Sequence, residues 1–231
     1  LQIIEAVYEQ LKDYPKALEI RKKIIDTGFN DFQSRVKYVF LLQKAKLKNE
    51  ARILIEALLK EKPGNLNLLS YLSSSFIETA DYHKARKFLT VLSKKYNDKN
   101  AYVLSKLGLV CLRLKDYKKS LQMLIRANKL KPGAIEILEL LSLSHLYNKN
   151  FQKAYILLSN LRNKYNSPFT SLYLAWYYIL KNNNSLSINF FKEALLIDSE
   201  KKIDKKTDIE DEEIFQKVKN QPDFQKILQC F

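Results

Sequence analysis

The stretch AYVLSKLGLVCLRLKDYKKSLQMLIRANKLKPG, Ala101–Gly133, decides how the chain reads. Leu104, Leu107, Gly108 and Cys111 fall at i, i+3, i+4 and i+7, the apolar stripe of one helix. Asp116 then stands where an N-cap belongs, and a second stripe of Leu121, Leu124, Ile125 and Ala127 runs on until Pro132 and Gly133 stop it. The spacing predicts a helix hairpin. Gly108 in the first helix and Ser120 and Ala127 in the second are small enough to let two backbones approach closely.

The phrase at its centre, DYKKS (Asp116–Ser120), returns as DYPKA (Asp13–Ala17), DYHKA (Asp81–Ala85) and NFQKA (Asn150–Ala154), and KLKNEA supplies Ala51 between the first two. The closing small residues 17, 51, 85, 120 and 154 are separated by 34, 34, 35 and 34 residues. A fixed period of this length marks an array of hairpins, none of which can bury its apolar faces alone, so neighbours must stack. Each letter of the phrase then has a structural task. Asp13 caps a helix, Pro15 suits its first turn, and Ala17 lets two helices meet. Tyr14, Tyr82, Tyr117 and Phe151 wedge against the neighbouring hairpin, and Lys16 faces water.

Composition agrees with a helical array. Of 231 residues only four are Gly and five Pro, and no Asn-Gly or Asp-Gly turn joins alternating β-branched runs. Hydrophobic residues make up 46%, which excludes wholesale disorder. The net charge of +15 is dominated by Lys, 33 against 7 Arg, and residues 1–199 carry 33 basic against 17 acidic groups. No apolar run approaches the roughly 18 residues of a membrane span. Cys111 and Cys230 lie far apart, outside any CxxC, so neither a zinc site nor a disulfide framework is expected.

These residues resemble the tetratricopeptide repeat family. The family's small residue after Leu in the first helix appears as Leu107-Gly108, and its closing Ala-Leu-x-x-Asp-Pro appears nearly intact as ALLIDS, Ala194–Ser199. The resemblance covers residues 1–199 as six units, near 1–31, 32–65, 66–100, 101–134, 135–167 and 168–199. A polar linker, 200–208, and C-terminal helices, 209–231, follow; they are expected to cap the last repeat, the alternative being insertion into the groove as an autoinhibitory peptide. Ile214, Phe215 and Val218, and then Phe224, Ile227, Leu228 and Phe231, supply the apolar stripes of those helices. The resemblance implies an all-α, right-handed superhelical solenoid whose first helices line a concave groove. Such folds bind an extended peptide or a partner helix. On that register the groove offers Phe40, Tyr102, Leu109, Leu112, Arg113, Leu143, Tyr147, Phe169, Leu172, Trp176 and Ile179, with Trp176 as the expected anchor. In composition style the repeats resemble those of low-GC bacteria such as spirochaetes, where some serve in envelope and flagellar-motor assemblies.

Nothing in the sequence points to catalysis. His145 takes the packed slot that Cys111 and Phe76 fill in other units, and His83 opens a second helix facing solvent, so neither suggests a triad or a metal site. The glycines are helix terminators or packing residues rather than a phosphate loop. The run DIEDEE, Asp208–Glu213, lacks the ligand spacing of a calcium loop. The expected function is therefore a non-enzymatic protein-interaction scaffold without cofactors, cytoplasmic by default, or periplasmic or membrane-anchored if an N-terminal segment has been removed. The alternative is a basic, RNA-binding solenoid, since Lys charge alone holds phosphate without reading sequence.

Overall fold

A computed structural model describes residues 1–198, 203 and 214–229; the polar linker apart from 203, the acidic run Asp208–Glu213, Phe231 and the side chains of 227 and 228 lie outside the described residues. The described residues are helical, with no strand among them. They fall into two compact units, Leu1–Lys99 and Asn100 onward.

The first unit holds three hairpins. These are α1 (Gln2–Gln10) with α2 (Tyr14–Asp26), α3 (Phe32–Lys44) with α4 (Lys48–Glu61), and α5 (Leu66–Glu78) with α6 (Tyr82–Lys95). The second unit holds α7 (Ala101–Arg113) with α8 (Tyr117–Leu130), α9 (Ile135–Tyr147) with α10 (Phe151–Lys164), and α11 (Pro168–Leu180) with α12 (Asn184–Ile197). After these come a 3-10 turn at Phe215–Lys217 and the short α13 (Pro222–Leu228). Within each unit a helix packs on its hairpin partner and on the next first helix, and in the second unit α7, α9 and α11 also touch in succession. That arrangement makes a layer of first helices backed by a layer of second helices.

The recurring phrase works as a joint. Six residues, Lys12, Lys46, Ala80, Lys115, Lys149 and Asn182, adopt left-handed φ of 57 to 62° at the end of a first helix. The residue after each donates its N–H back to the closing turn, as in Asp13 N to Tyr8 O at 2.9 Å, Asp116 N to Cys111 O at 2.8 Å and Asn183 N to Tyr178 O at 2.8 Å. This is a Schellman closure. In four of the joints the same residue's side chain then caps the second helix: Asp13, Asp81, Asp116 and Asn183 accept from the N–H of Lys16, Lys84, Lys119 and Leu186. One residue therefore ends one helix and starts the next, which is why an acid or amide sits at a fixed place in the period. Leu47 heads α4 without a side-chain cap, and so does Asn150 heading α10. First helices have their own caps at Asp31, Asn65 and Asn100.

The hairpins close around small residues. A Cβ added at Gly108 would stand 2.5 Å from Leu124 Cγ, so α7 and α8 can approach as they do only because the position is bare. By register the same slot holds Val39, Ser73, Ser142 and Ala175, opposite Ile55, Leu89, Leu158 and Phe191. The first hairpin breaks the rule, because Glu5 and Arg21 occupy these two positions. Both are buried, Glu5 wholly and Arg21 to 6% exposure, and they pair in bidentate fashion, Arg21 Nε lying 2.8 Å from Glu5 Oε1 and Nη2 donating to Oε2. Lys37 from α3 joins them, 3.7 Å from Glu5 and 2.7 Å from Glu9.

Candidate partner-binding surface

One register on the first helices, spaced i, i+4, i+7 and i+11, can be followed from hairpin to hairpin. On α7 the stripe is Tyr102, Lys106, Leu109 and Arg113, the first exposed and the rest half-buried. On α9 it is Glu136, Leu140, Leu143 and Tyr147, of which only Leu143 is buried. On α11 it is Phe169, Tyr173, Trp176 and Leu180, with the middle two buried. In the first unit the corresponding residues are Gln33, Lys37, Phe40 and Lys44 on α3, and Asn67, Tyr71, Ser74 and Glu78 on α5, none of them buried.

The stripe is chemically organised. Lys106 Nζ lies 5.3 Å from the centre of the Tyr102 ring, and Lys44 Nζ lies 5.5 Å from that of Phe40. Phe40 and Tyr71 stand 6.5 Å apart, linking the α3 and α5 stripes. Behind this surface Tyr117 of α8 stacks on Tyr147 of α9 at 4.5 Å with planes 3° apart, so the aromatic of the DY phrase holds the next first helix.

Of the eleven residues expected in the groove, Tyr102, Leu109, Arg113, Tyr147, Phe169 and Phe40 lie on these stripes and reach solvent. Leu112, Leu143, Leu172, Trp176 and Ile179 do not; each is at most 6% exposed. Leu112, Leu172 and Ile179 sit one step round the helix, on the side that packs against neighbouring elements rather than on the open face. Leu143 and Trp176 are on the stripe but are covered. The position read from sequence as the anchor is thus part of the core: Trp176 meets Phe191 edge-on at 4.7 Å and Phe215 at 6.3 Å. Lys106, Leu140, Lys37 and Tyr71 belong to the stripe yet escape the sequence reading, because a stripe placed at i, i+3, i+7 and i+10 steps over them.

The C-terminal segment explains why α11 is apolar all round. Ile203, Ile214, Phe215, Val218 and Phe224 are buried in the same core as Trp176, Ile179 and Phe191. Phe224 meets Phe191 at 5.3 Å, and Asn184 Nδ2 donates to Gln221 Oε1 at 3.0 Å. The apolar pattern of Ile214, Phe215 and Val218 predicts a helix; its described part is the 3-10 turn, which still buries all three.

Two titratable groups are buried in the second unit. Glu139 of α9 accepts from Thr170 Oγ1 at 2.9 Å and from Ser167 Oγ, so a carboxylate from one first helix receives the hydroxyls at the start of the next. Burial pushes its carboxyl above the ordinary range, which the two hydroxyl donors partly oppose. His145 is 7% exposed, and burial lowers its pKa, with Lys153 acting in the same direction. Its Nδ1 lies 3.5 Å from Asn150 Nδ2. His83 is exposed. Among the described residues no three His, Cys, Asp or Glu gather as a metal site would require, and no helix is long and apolar enough to cross a membrane.

Comparison with solved structures gives the fold a family name. MamA residues 41 to the end from Desulfovibrio magneticus RS-1 superpose with a TM-score of 0.64 at 15% identity, covering 70% of this chain and 91% of that one. YrrB, described as a TPR protein with an unusual peptide-binding site, gives 0.61 at 16% identity over 79% and 94%. A thermophilic TPR protein of Thermus thermophilus, TTC0263, gives 0.59 at 16% over 73% and 92%. The chain therefore has the tetratricopeptide repeat fold. No protein-family model and no curated protein matches the sequence.

Proposed function

We propose that this chain is a non-catalytic protein-interaction scaffold that docks a peptide or helix on the first-helix stripes, within an array spanning residues 1–199 and closed by the segment from 209. The observation carrying this reading is the α7 and α9 surface, where Tyr102, Lys106, Leu109, Arg113 and Tyr147 present aromatic, aliphatic and cationic groups together on adjoining helices. Aromatic and Arg side chains in such settings supply most binding energy in protein interfaces. The two cations opposite one exposed carboxylate, Glu136, suit a partner segment carrying both an aliphatic side chain and an acid. YrrB's described peptide-binding site supports the same use of the fold.

The test is affinity capture from the native source with the wild-type chain and with Tyr102→Ala/Leu109→Asp. The variant should lose a stoichiometric protein partner by tenfold or more while keeping its helical circular dichroism. Undiminished capture would overturn the assignment of the surface. Membership of an envelope or flagellar-motor assembly rests on composition style, and the identity of the captured partner decides it.

A further inference from the structure

The second-helix layer of the second unit has a charge distribution that the proposed partner surface does not use. Residues 100–198 carry 14 basic and 5 acidic side chains. Each acid is accounted for elsewhere. Asp116 caps α8, Glu139 is buried, Glu193 pairs with Arg162 at 3.0 Å, Asp198 accepts from Ile203 N–H, and Glu136 lies on the first-helix stripe.

Helices α8 and α10 contain no acidic residue at all. At 3.6 residues per turn, Lys118, Lys129, Gln122, Arg126 and Lys119 of α8 share about 100° of arc, and all five are exposed. Ser120, Leu124 and Ala127 take the opposite, buried side. Lys153 and Lys164 are exposed on α10. Large apolar side chains stand among these cations and face water: Ile125 and Leu130 on α8 at 38% and 45% exposure, and Ile156 on α10 at 51%.

From this we propose that the outer face of α8 and α10 docks on the surface of an anionic lipid bilayer. A cluster of this many Lys and Arg on amphipathic helices is attracted to the negative potential of such a surface. The interspersed Ile and Leu give what charge alone does not, an apolar contribution on entering the headgroup region. A polyphosphate chain would make use of the cations but not of Ile125, Leu130 and Ile156. The layer of first helices stays free, so membrane docking and partner binding can fail independently.

The experiment is co-sedimentation of the full chain with vesicles of phosphatidylcholine alone and of phosphatidylcholine containing about 30% phosphatidylglycerol, at low and high salt, chosen because each surface Lys contributes through an anionic potential that salt screens. The expected result is binding to the anionic vesicles only, weakened at least tenfold at high salt. Lys118→Gln/Lys119→Gln/Lys129→Gln should cost about 100-fold, roughly fivefold per charge. Lys22→Gln/Lys60→Gln/Lys62→Gln, exposed in the first unit, should leave affinity within a few-fold. Absent binding to anionic vesicles overturns the proposal, as does an equal loss in both triple variants. So does tight, Lys118-dependent binding of a single-stranded RNA without vesicle binding, which would assign the face to nucleic acid.

Discussion

Replacing Arg21 by Leu tests whether the first hairpin follows the same packing rule as the others. In five hairpins the slot pairs a small or aliphatic residue with a large apolar one, as Gly108 with Leu124, whereas here Glu5 and Arg21 fill it with a bidentate ion pair. Arg21→Leu leaves the Glu5 carboxylate wholly buried with only Lys37 Nζ nearby, at 3.7 Å. Removing one partner of a buried pair costs about 3–5 kcal/mol, and the remaining lysine places this case toward about 3 kcal/mol. The double variant Glu5→Ala/Arg21→Leu recreates the combination of small residue and leucine found elsewhere. Replacement of a buried pair by packed apolar groups is neutral or gains about 1–4 kcal/mol, so the double variant should equal or exceed the wild type. Repeat arrays open piecewise, so the right assay is amide hydrogen exchange across α1 and α2 alongside urea unfolding. The reasoning fails if Arg21→Leu costs under about 1 kcal/mol, or if the double variant is no more stable than the single one.

Gly108→Ala forces a Cβ to within 2.8 Å of both Leu124 Cγ and Cδ2, and overpacking should outweigh the helix-propensity gain for a net loss of about 1–2 kcal/mol in urea unfolding. Lys115→Gly relieves a left-handed residue at φ 61° and should raise stability by about 0.5–1 kcal/mol in the same assay. Glu139 has its pKa raised by burial, so the fold favours the protonated carboxyl: its contribution is full below the ordinary glutamate value and falls as pH rises through the raised one. Glu139→Gln should abolish that fall in thermal melts taken as pH rises above the ordinary glutamate range, and stabilise the protein at the upper end of the series. Phe224→Ala removes a side chain packed on Phe191 and should cost about 3–5 kcal/mol locally, seen as a red shift in the fluorescence of Trp176, the only tryptophan.

The period made the hairpins legible because their joints reuse one residue for two hydrogen-bonding tasks, and Asp or Asn at that place is visible as a letter. The left-handed turns were not, since glycine would normally announce them and the six residues there are Lys, Ala or Asn. Lys gives no signal of backbone conformation. The Glu5–Arg21 pair was equally hidden: two charged letters sixteen apart in a Lys-rich chain read as solvated surface, and only the register of the other hairpins puts them face to face. For the candidate surface, the sequence reading chose positions on α7, α9 and α11 without fixing the rotation of those helices about their axes. Those helices are apolar on several sides, so period alone cannot tell the side that meets a neighbouring helix from the side left open.

That ambiguity is resolved at the C-terminal end by where the last segment sits. Phe215 reaches Trp176 of α11 while Phe224 reaches Phe191 of α12, so the segment touches both helices of the final hairpin. Inside the same unit, α9 touches α7 and α8 in this manner, and α11 touches α9 and α10. The segment thus meets both helices of the final hairpin, as each next first helix does elsewhere in the unit. It consumes Trp176 in doing so and leaves Tyr102 exposed and Lys106, Leu109 and Arg113 partly open. The described residues of the segment lie against α11 and α12, away from the candidate surface on α7 and α9. The aromatic concentration at this end serves the contact between the final hairpin and the segment that follows it, and the stripe proposed to meet a partner lies on the helices before it.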